Sequence, residues 1–122
     1  MQRILAVDDN EDILEVIKLI LDDYGYEVTT LADGRLLLDT INRDHPDLIL
    51  LDVMMGNTDG RELCRQIKSQ KETSNIPVIL VSASHNVNDR FVVNGTAPDD
   101  FLAKPFNISD LLEKVQAHMA AA

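Results

Sequence analysis

The chain has 122 residues, of which 45% are hydrophobic and 26% are charged. The length suits one domain over residues 1–122 and is too short for two independent cores. The composition is ordinary for a globular protein, which excludes disordered and collagen-like chains. Eleven Lys and Arg residues against 21 Asp and Glu residues give a formal net charge of −10. An acidic surface repels phosphate backbones and anionic lipid, which argues against nucleic acid and membranes as direct partners.

The cysteine content and the hydropathy pattern indicate a reducing compartment. Cys64 is the single cysteine, so it cannot form an internal disulfide, and one thiol with three scattered histidines does not make a zinc site. The chain shows no signal-peptide core before its first apolar run, and no run approaches the roughly 18 residues that a membrane span needs. We therefore expect a soluble cytoplasmic protein.

The first elements in chain order are a strand, a helix and a second strand. A continuous apolar run at 4–7 predicts a strand buried on both faces of a parallel sheet. A helix is predicted after the cap candidates Asp9 and Asn10 and before Gly25. Its apolar positions are Ile13, Val16, Ile17, Ile20 and Tyr24. A weaker strand is predicted around 27–31.

The middle of the chain repeats this order. Asp33 opens a shorter helix, and a second apolar run at 48–51 predicts another buried strand. Asp59 opens the next helix, and a third apolar run follows at 78–81. The apolar positions of the two helices are Leu36, Leu37 and Ile41 in the first, and Leu63, Cys64 and Ile67 in the second.

The last part of the chain contains a weak helical pattern at 87–95, a strand around 101–103 and a clear final helix. Asn107 caps that helix, whose apolar stripe is Ile108, Leu111, Leu112, Val115 and Met119. Strand and helix thus alternate five times. With right-handed crossovers, this alternation predicts a three-layer α/β fold in which helices cover both faces of one five-stranded parallel sheet.

Polar residues follow the ends of the predicted strands, which is where functional groups gather in such sheets. These residues are Asp8 and Asp9, Asp52, Ser82 and Lys104. Three converging carboxylates repel one another unless one takes a proton or a cation settles among them. Oxygen ligands on a small rigid site favour magnesium. The sequence therefore predicts Mg²⁺ bound by Asp8, Asp9 and Asp52.

Phosphoryl chemistry suits this group of residues, because Mg²⁺ usually takes one or two carboxylates together with phosphate oxygens. Asp52 is the natural nucleophile, since a carboxylate can accept a phosphoryl group as an acyl phosphate whose added charge the metal and Lys104 would neutralise. Ser82 can donate a hydrogen bond to a remaining phosphoryl oxygen. The chain has no glycine-rich nucleotide loop, so the phosphoryl group must come from another molecule.

Four motifs together resemble the receiver domain of two-component response regulators. They are Val7-Asp8-Asp9, Leu51-Asp52-Val53-Met54-Met55, Val81-Ser82-Ala83 and Phe101-Leu102-Ala103-Lys104-Pro105-Phe106. They occur in the family's order and span essentially the whole chain. The resemblance implies a flavodoxin-like sheet of order 2-1-3-4-5 with five helices, and a cis peptide bond between Lys104 and Pro105.

The resemblance also implies roles for the acidic residues. Asp52 would be the phosphoacceptor, charged by a partner histidine kinase or histidine phosphotransfer protein. Asp9, Asp52 and the backbone carbonyl of Met54 would ligate Mg²⁺, and Asp8 would act through a water molecule.

Three further residues have roles in signalling by the same resemblance. Ser82 would be the hydroxyl switch, Lys104 the cation that contacts the phosphoryl group, and Phe101 the aromatic switch. The switched surface would serve a downstream protein target or an attached output domain. The face formed by the fourth helix, the fifth strand and the last helix is where receivers dock targets or form homodimers.

The sequence departs from the family at several positions. Gly56 replaces the usual proline after the Asp52 strand, so we expect a more mobile loop and weaker metal affinity. Ala97-Pro98 replaces the usual Gly-Ala, which should rebuild the loop before the last strand. Phe101 lacks a tyrosine hydroxyl and can make no hydrogen bond when it turns inward. The energy difference between its inward and outward rotamers would therefore come from burial alone. Met54 cannot hydrogen-bond a water that attacks the phosphorus, which predicts slow self-dephosphorylation.

Two other functions remain open from the sequence. A magnesium phosphatase would also use an aspartyl phosphate, but Asp52-Val53-Met54 lacks the second acid of the D-x-D-x-T pattern. A purely structural interaction module would keep the fold without phosphorylation. Taken singly, each candidate also has a structural interpretation. Asp8 and Asp9 could cap a helix, and Asp52 could be a turn residue. Lys104 could be a surface charge, and Phe101 could be part of the core. Their coincidence at four strand ends favours the functional interpretation.

Overall fold

Alternating strands and helices make up the computed structural model, which describes residues 2–56, 58–83 and 98–119. A short 3₁₀ turn at Gly34–Leu36 leads into the second helix. The strands are β1 (Arg3–Val7), β2 (Glu27–Leu31), β3 (Leu48–Asp52), β4 (Met54–Met55), β5 (Thr58–Asp59), β6 (Val78–Ser82) and β7 (Asp100–Ala103). The helices are α1 (Glu11–Asp23), α2 (Leu37–Asp44), α3 (Gly60–Ser69) and α4 (Ile108–His118). None of these helices is long and apolar enough to cross a bilayer.

Five of the strands form one parallel sheet in the order β2-β1-β3-β6-β7. Numbering only these five strands along the chain gives 2-1-3-4-5, so the predicted sheet order is confirmed. Every residue of β3 and β6 is buried, as continuous apolar runs predict for the centre of a parallel sheet. The fourth predicted helix, at 87–95, and Ala97 lie outside the described residues, so the rebuilt loop before β7 stays a prediction.

The sheet separates two hydrophobic clusters, which confirms the three-layer arrangement. Alternate residues of β1 face opposite sides, with Ile4 and Ala6 in one cluster and Leu5 and Val7 in the other. Helices α1 and α4 cover the first side, and α2 and α3 cover the second. Each Leu or Ile buried in this way contributes roughly 1.5–3 kcal/mol of transfer free energy. The packing holds the carboxyl ends of the strands at one edge.

The buried stripe of α1 differs from the predicted one. Leu14, Ile17 and Leu21 face the core, whereas Val16 and Tyr24 are exposed. The prediction was wrong at these positions because α1 is apolar on more than one face, so two helical phases fit its sequence. Packing against the sheet and α4 selects the phase. A smaller difference of the same kind occurs in α4, where Ile108 is exposed.

The segment after β3 forms a small hairpin that the sequence did not predict. Strands β4 and β5 pair antiparallel, with Met54 opposite Asp59 and Met55 opposite Thr58. Gly56 lies in the turn at φ +43°, a conformation that the usual proline cannot adopt. The glycine therefore fits a defined turn, and the weaker metal affinity that we expect from Gly56 stays a prediction.

Candidate functional site

The sheet order places three candidate residues at one edge. Strands β1 and β3 are neighbours, with Val7 opposite Leu51, so the residue after β1 and the last residue of β3 lie side by side. These residues are Asp8 and Asp52. Lys104 follows β7, and its backbone N–H donates a 2.8 Å hydrogen bond to the carbonyl of Ser82 at the end of β6. The Lys104 side chain extends from there toward the two carboxylates.

Asp8, Asp9 and Asp52 form an acid cluster in which one carboxylate oxygen from each lies within 4.8 Å of the others. Asp8 is 3% exposed and Asp52 is 5% exposed, whereas Asp9 is exposed. The cap of α1 is Asn10, whose Oδ1 accepts the backbone N–H groups of Asp12 and Ile13. Asp8 Oδ1 accepts the backbone N–H of Asn10 at 2.9 Å, and neither Asp8 nor Asp9 is the N-cap residue of α1.

Lys104 supplies the positive charge of this site. Its ammonium donates hydrogen bonds to Asp8 Oδ2 at 2.8 Å and to Asp52 Oδ1 at 3.2 Å. The Lys104-Pro105 peptide bond is cis, as the resemblance implied. Among the described residues, Asp8, Asp9, Asp52 and Lys104 thus come together from three separate parts of the chain.

Three carboxylates face one ammonium in this part of the described structure, so the formal charges leave an excess of negative charge. Burial raises the pKa of Asp52, and the charge of Asp8 raises it further, while Lys104 only partly offsets the effect. Burial alone would lower the pKa of Lys104, but its hydrogen bond to Asp8 and the charge of Asp52 leave that pKa above its ordinary value. Excess negative charge on hard oxygen donors fits a divalent cation such as Mg²⁺.

The other predicted site residues lie in β6, in β7 and in the segment after β3. Ser82 is buried at the end of β6, the strand next to β3. Met54, two residues after Asp52, has 77% of its surface exposed. Phe101 is partly buried and packs against the hydrophobic cluster on the α2 and α3 side of the sheet. Their positions suit the implied roles, which stay predictions.

Gly60 adjoins the site and belongs to none of the motifs from which the site was predicted. A Cβ atom at this position would lie 2.0 Å from the backbone oxygen of Asp52. The available signal was a glycine directly after the helix-capping Asp59, since glycine is a poor helix former in the first turn. Only the approach of α3 to β3 shows why a glycine stands there.

A protein-family model for the response regulator receiver domain matches residues 4–116. The response regulator MprA of Mycolicibacterium vanbaalenii is 39% identical over 115 residues, which cover 94% of this chain and 49% of that protein. The chain spans about half the length of the curated relatives that it matches.

Solved structures agree with the fold. The chemotaxis protein CheY4 of Vibrio cholerae matches with a TM-score of 0.88 and 30% identity, over 98% of this chain and 99% of that one. The response regulator TrrA of Thermotoga maritima, in complex with Mg²⁺ and BeF, matches with a TM-score of 0.85 and 33% identity, over 98% of this chain and 100% of that one.

Proposed function

The chain belongs to the response regulator receiver family of two-component signalling, and from this we propose that Asp52 accepts a phosphoryl group from a partner phosphohistidine in the presence of Mg²⁺. One observation carries the proposal. Two buried carboxylates and one exposed carboxylate share an edge of the sheet with a single ammonium, although the chain separates Asp8 from Lys104 by 96 residues. A burial pattern this costly is typical of a functional site.

The acid cluster is the proposed metal site. Asp9, Asp52 and the backbone carbonyl of Met54 would hold Mg²⁺, and Asp8 would bind it through a water molecule. When bound, the metal neutralises charge on the phosphoryl oxygens during transfer. The all-oxygen donor set supports this assignment, and the TrrA structure holds Mg²⁺ together with BeF.

The transfer itself uses Asp52 as the nucleophile. A carboxylate oxygen of Asp52 attacks the phosphorus, and a new O–P bond forms while the P–N bond to the partner's imidazole breaks. The electron pair of that bond stays on the imidazole nitrogen, which takes up a proton. Lys104 would contact the phosphoryl oxygens, and the 3.2 Å distance between its ammonium and Asp52 Oδ1 supports this role.

The switch connects phosphorylation to the surface. Ser82 would donate its hydroxyl hydrogen to a phosphoryl oxygen, and Phe101 would move inward beside it. The docking face is the one implied by the family resemblance, formed by the fourth predicted helix, the fifth strand of the sheet and the last helix. The usual coupling free energy between two such sites is about 1–3 kcal/mol.

The partners and the location complete the proposal. A histidine kinase or a histidine phosphotransfer protein supplies the phosphoryl group, and the output is a downstream protein target, an attached output domain or a homodimer. The location is the cytoplasm, in line with the single buried cysteine, Cys64. The relatives are about twice as long as this chain, which makes an attached output domain a concrete candidate.

Labelling with a small phosphodonor tests the proposal. The wild type should form a base-labile acyl phosphate with acetyl phosphate and Mg²⁺, and it should form none with EDTA. Asp52→Asn should form none under any condition, whereas Asp39→Asn, on the exposed face of α2, should label like the wild type. Labelling of Asp52→Asn would contradict the assignment of the phosphoacceptor. Continuous turnover of small phosphate esters would favour the phosphatase instead.

A further inference from the structure

We propose that Gly60 is a positioning residue for the phosphoacceptor: because it has no side chain, the start of α3 can lie directly against the backbone of Asp52. The inference rests on the proposed function of Asp52. It adds that the position of the Asp52 carboxylate is set by α3 as well as by the sheet.

Residue 60 has no room for a side chain. A Cβ atom there would lie 2.0 Å from the Asp52 oxygen, 2.9 Å from the Asp52 carbonyl carbon and 3.0 Å from Val53 Cα. Favourable separations between nonbonded carbon atoms are about 3.5–4.0 Å. These neighbours are backbone atoms at the end of a central strand, so they cannot rotate away as a side chain can. A side chain at residue 60 must displace either α3 or the end of β3.

Backbone conformation does not explain the glycine. The described glycines with φ in the left-handed region are Gly25 and Gly56, and Gly60 is not among them. Alanine could therefore adopt the backbone angles of Gly60. The requirement is for space alone, and the atom that defines the space belongs to Asp52.

The segment between Asp52 and Gly60 forms a closed loop. The Gly60 N–H donates a 2.8 Å hydrogen bond to the carbonyl of Val53, and the pairing of Met54 with Asp59 closes the loop between them. The proposed metal-binding carbonyl of Met54 lies within this loop. A shift at Gly60 would therefore move two of the proposed metal ligands, the Asp52 carboxylate and the Met54 carbonyl.

The start of α3 is itself held in place. Asp59 caps the helix, accepting the Arg61 backbone N–H at 2.9 Å, and the Arg61 guanidinium donates to both carboxylate oxygens of Asp59. This local network fixes the first turn of α3 where Gly60 meets Asp52.

The chain contains a matched control for this arrangement. The same triplet, Asp-Gly-Arg, occurs at 33–35, where Asp33 accepts the Arg35 backbone N–H at 2.9 Å and both side chains form the same pairing. Gly34 is also buried. The three atoms nearest to a Cβ atom at Gly34 would be side-chain ends at 3.0–3.1 Å, and they belong to Thr58, Leu63 and Met55. Gly34 thus shares the motif and the burial but does not meet Asp52.

Gly60→Ala and Gly34→Ala, compared with the wild type, test the inference. The measurements are Mg²⁺ affinity by titration calorimetry, the initial rate of labelling by acetyl phosphate at saturating Mg²⁺, and the folded fraction by circular dichroism. A misplacement of about 1 Å can slow a reaction on the order of 100-fold. We expect Gly60→Ala to label on that order more slowly and to bind Mg²⁺ more weakly, while Gly34→Ala stays close to the wild type in both.

The outcomes separate the inference from the proposed function. If the wild type is not labelled, the proposed function fails. If the wild type is labelled and folded Gly60→Ala matches it in rate and Mg²⁺ affinity, only the inference is overturned. Equal losses in Gly60→Ala and Gly34→Ala would also overturn it, because pressure on the Met55 and Thr58 side chains would then matter as much as a clash with the Asp52 backbone.

A second pair of variants covers the case in which Gly60→Ala does not fold. Asp59→Ala removes the cap and the Arg61 pairing without adding atoms next to Asp52, and Asp33→Ala makes the same change at the control motif. Both remove one carboxylate, so the change in net charge is matched. A larger loss of Mg²⁺ affinity in Asp59→Ala than in Asp33→Ala supports the inference, and equal affinities of the two variants overturn it.

Discussion

Lys104 and Asp8 are 96 residues apart in the chain, and the Lys104 ammonium donates a 2.8 Å hydrogen bond to Asp8 Oδ2. This contact is shorter than the 3.2 Å hydrogen bond from the same ammonium to Asp52 Oδ1. Asp8 is also the most buried of the acidic residues in the site. Lys104 therefore has a structural role, holding the unphosphorylated site together, in addition to the proposed role in phosphoryl transfer.

Removal of this cation should destabilise the metal-free protein. Lys104→Met leaves two buried carboxylates without their counter-charge, and we expect a loss of roughly 2–3 kcal/mol in the free energy of unfolding, measured by urea denaturation in EDTA. The value lies below the roughly 3–5 kcal/mol that is typical of a broken buried ion pair, because the Lys104 side chain is 19% exposed. Lys18→Met breaks the exposed pair with Asp22 and should cost about 0.5 kcal/mol or less. Equal losses would contradict the structural role of Lys104.

Removal of the charge on Asp52 should have the opposite effect. Because burial and Asp8 both disfavour the charged form, Asp52→Asn should raise the free energy of unfolding in EDTA by on the order of 1 kcal/mol. Mg²⁺ at 100 times its dissociation constant should stabilise the wild type by about 2.7 kcal/mol and should stabilise Asp52→Asn far less. Thermal melts of both proteins with and without Mg²⁺ measure the two effects. A variant that is less stable than the wild type in EDTA would refute this account of the site.

Asp100 should make the stability of the protein depend on pH. Burial acts to raise the pKa of Asp100, but hydrogen bonds from Lys114 and His118, each at 2.8 Å, hold that pKa below its ordinary value. A depressed carboxyl pKa contributes stability above the unfolded-state pKa of about 3.9, and the contribution disappears as the pH falls through the folded-state value.

The difference in unfolding free energy between the wild type and Asp100→Asn isolates this contribution. We expect the wild type to be more stable by about 1 kcal/mol at pH 7, with the difference shrinking below about pH 4. Glu113→Gln serves as the control, because Glu113 lies on the exposed surface of α4, the helix that carries Lys114 and His118. Its unfolding free energy should differ little from that of the wild type. If the difference in unfolding free energy between the wild type and Asp100→Asn is the same at pH 7 and pH 3, the pairing of Asp100 with Lys114 and His118 is not its source.

Met54 should slow the loss of the phosphoryl group. Its side chain is exposed beside Asp52 and cannot orient an attacking water, whereas an asparagine there can accept and donate hydrogen bonds. We expect the phosphorylated form of Met54→Asn to decay about tenfold faster than the wild type, measured as loss of label after the donor is removed. Leu19→Asn, an exposed apolar position on α1, controls for surface polarity. An unchanged decay rate in Met54→Asn would remove the idea.

The succession of strands and helices and the placement of the acid cluster were accessible from local sequence, whereas the strand order within the sheet came from the family resemblance. Buried parallel strands read as continuous apolar runs, so β1, β3 and β6 could be identified without tertiary information. The polar residues at their ends then followed from the rule that the carboxyl ends of parallel strands share one edge. Caps were equally local, since Asn107 and Asp59 bond to backbone groups within three residues.

The phase of α1 and the β4–β5 hairpin were not accessible in the same way. An apolar residue occupies most positions between Ile13 and Leu21, so periodicity alone does not choose the buried face. The hairpin consists of two-residue strands, which are too short to show a pattern in the sequence.

The sequence by itself determined the order of strands and helices and which residue types stand at the strand ends, because both are encoded in short-range spacing and side-chain chemistry. Tertiary structure alone decided that Lys104 lies closer to Asp8 than to Asp52, and that α3 approaches β3 so closely that residue 60 has no room for a side chain. Both facts depend on distances between segments far apart in the chain, which are set by how the packed layers fit together.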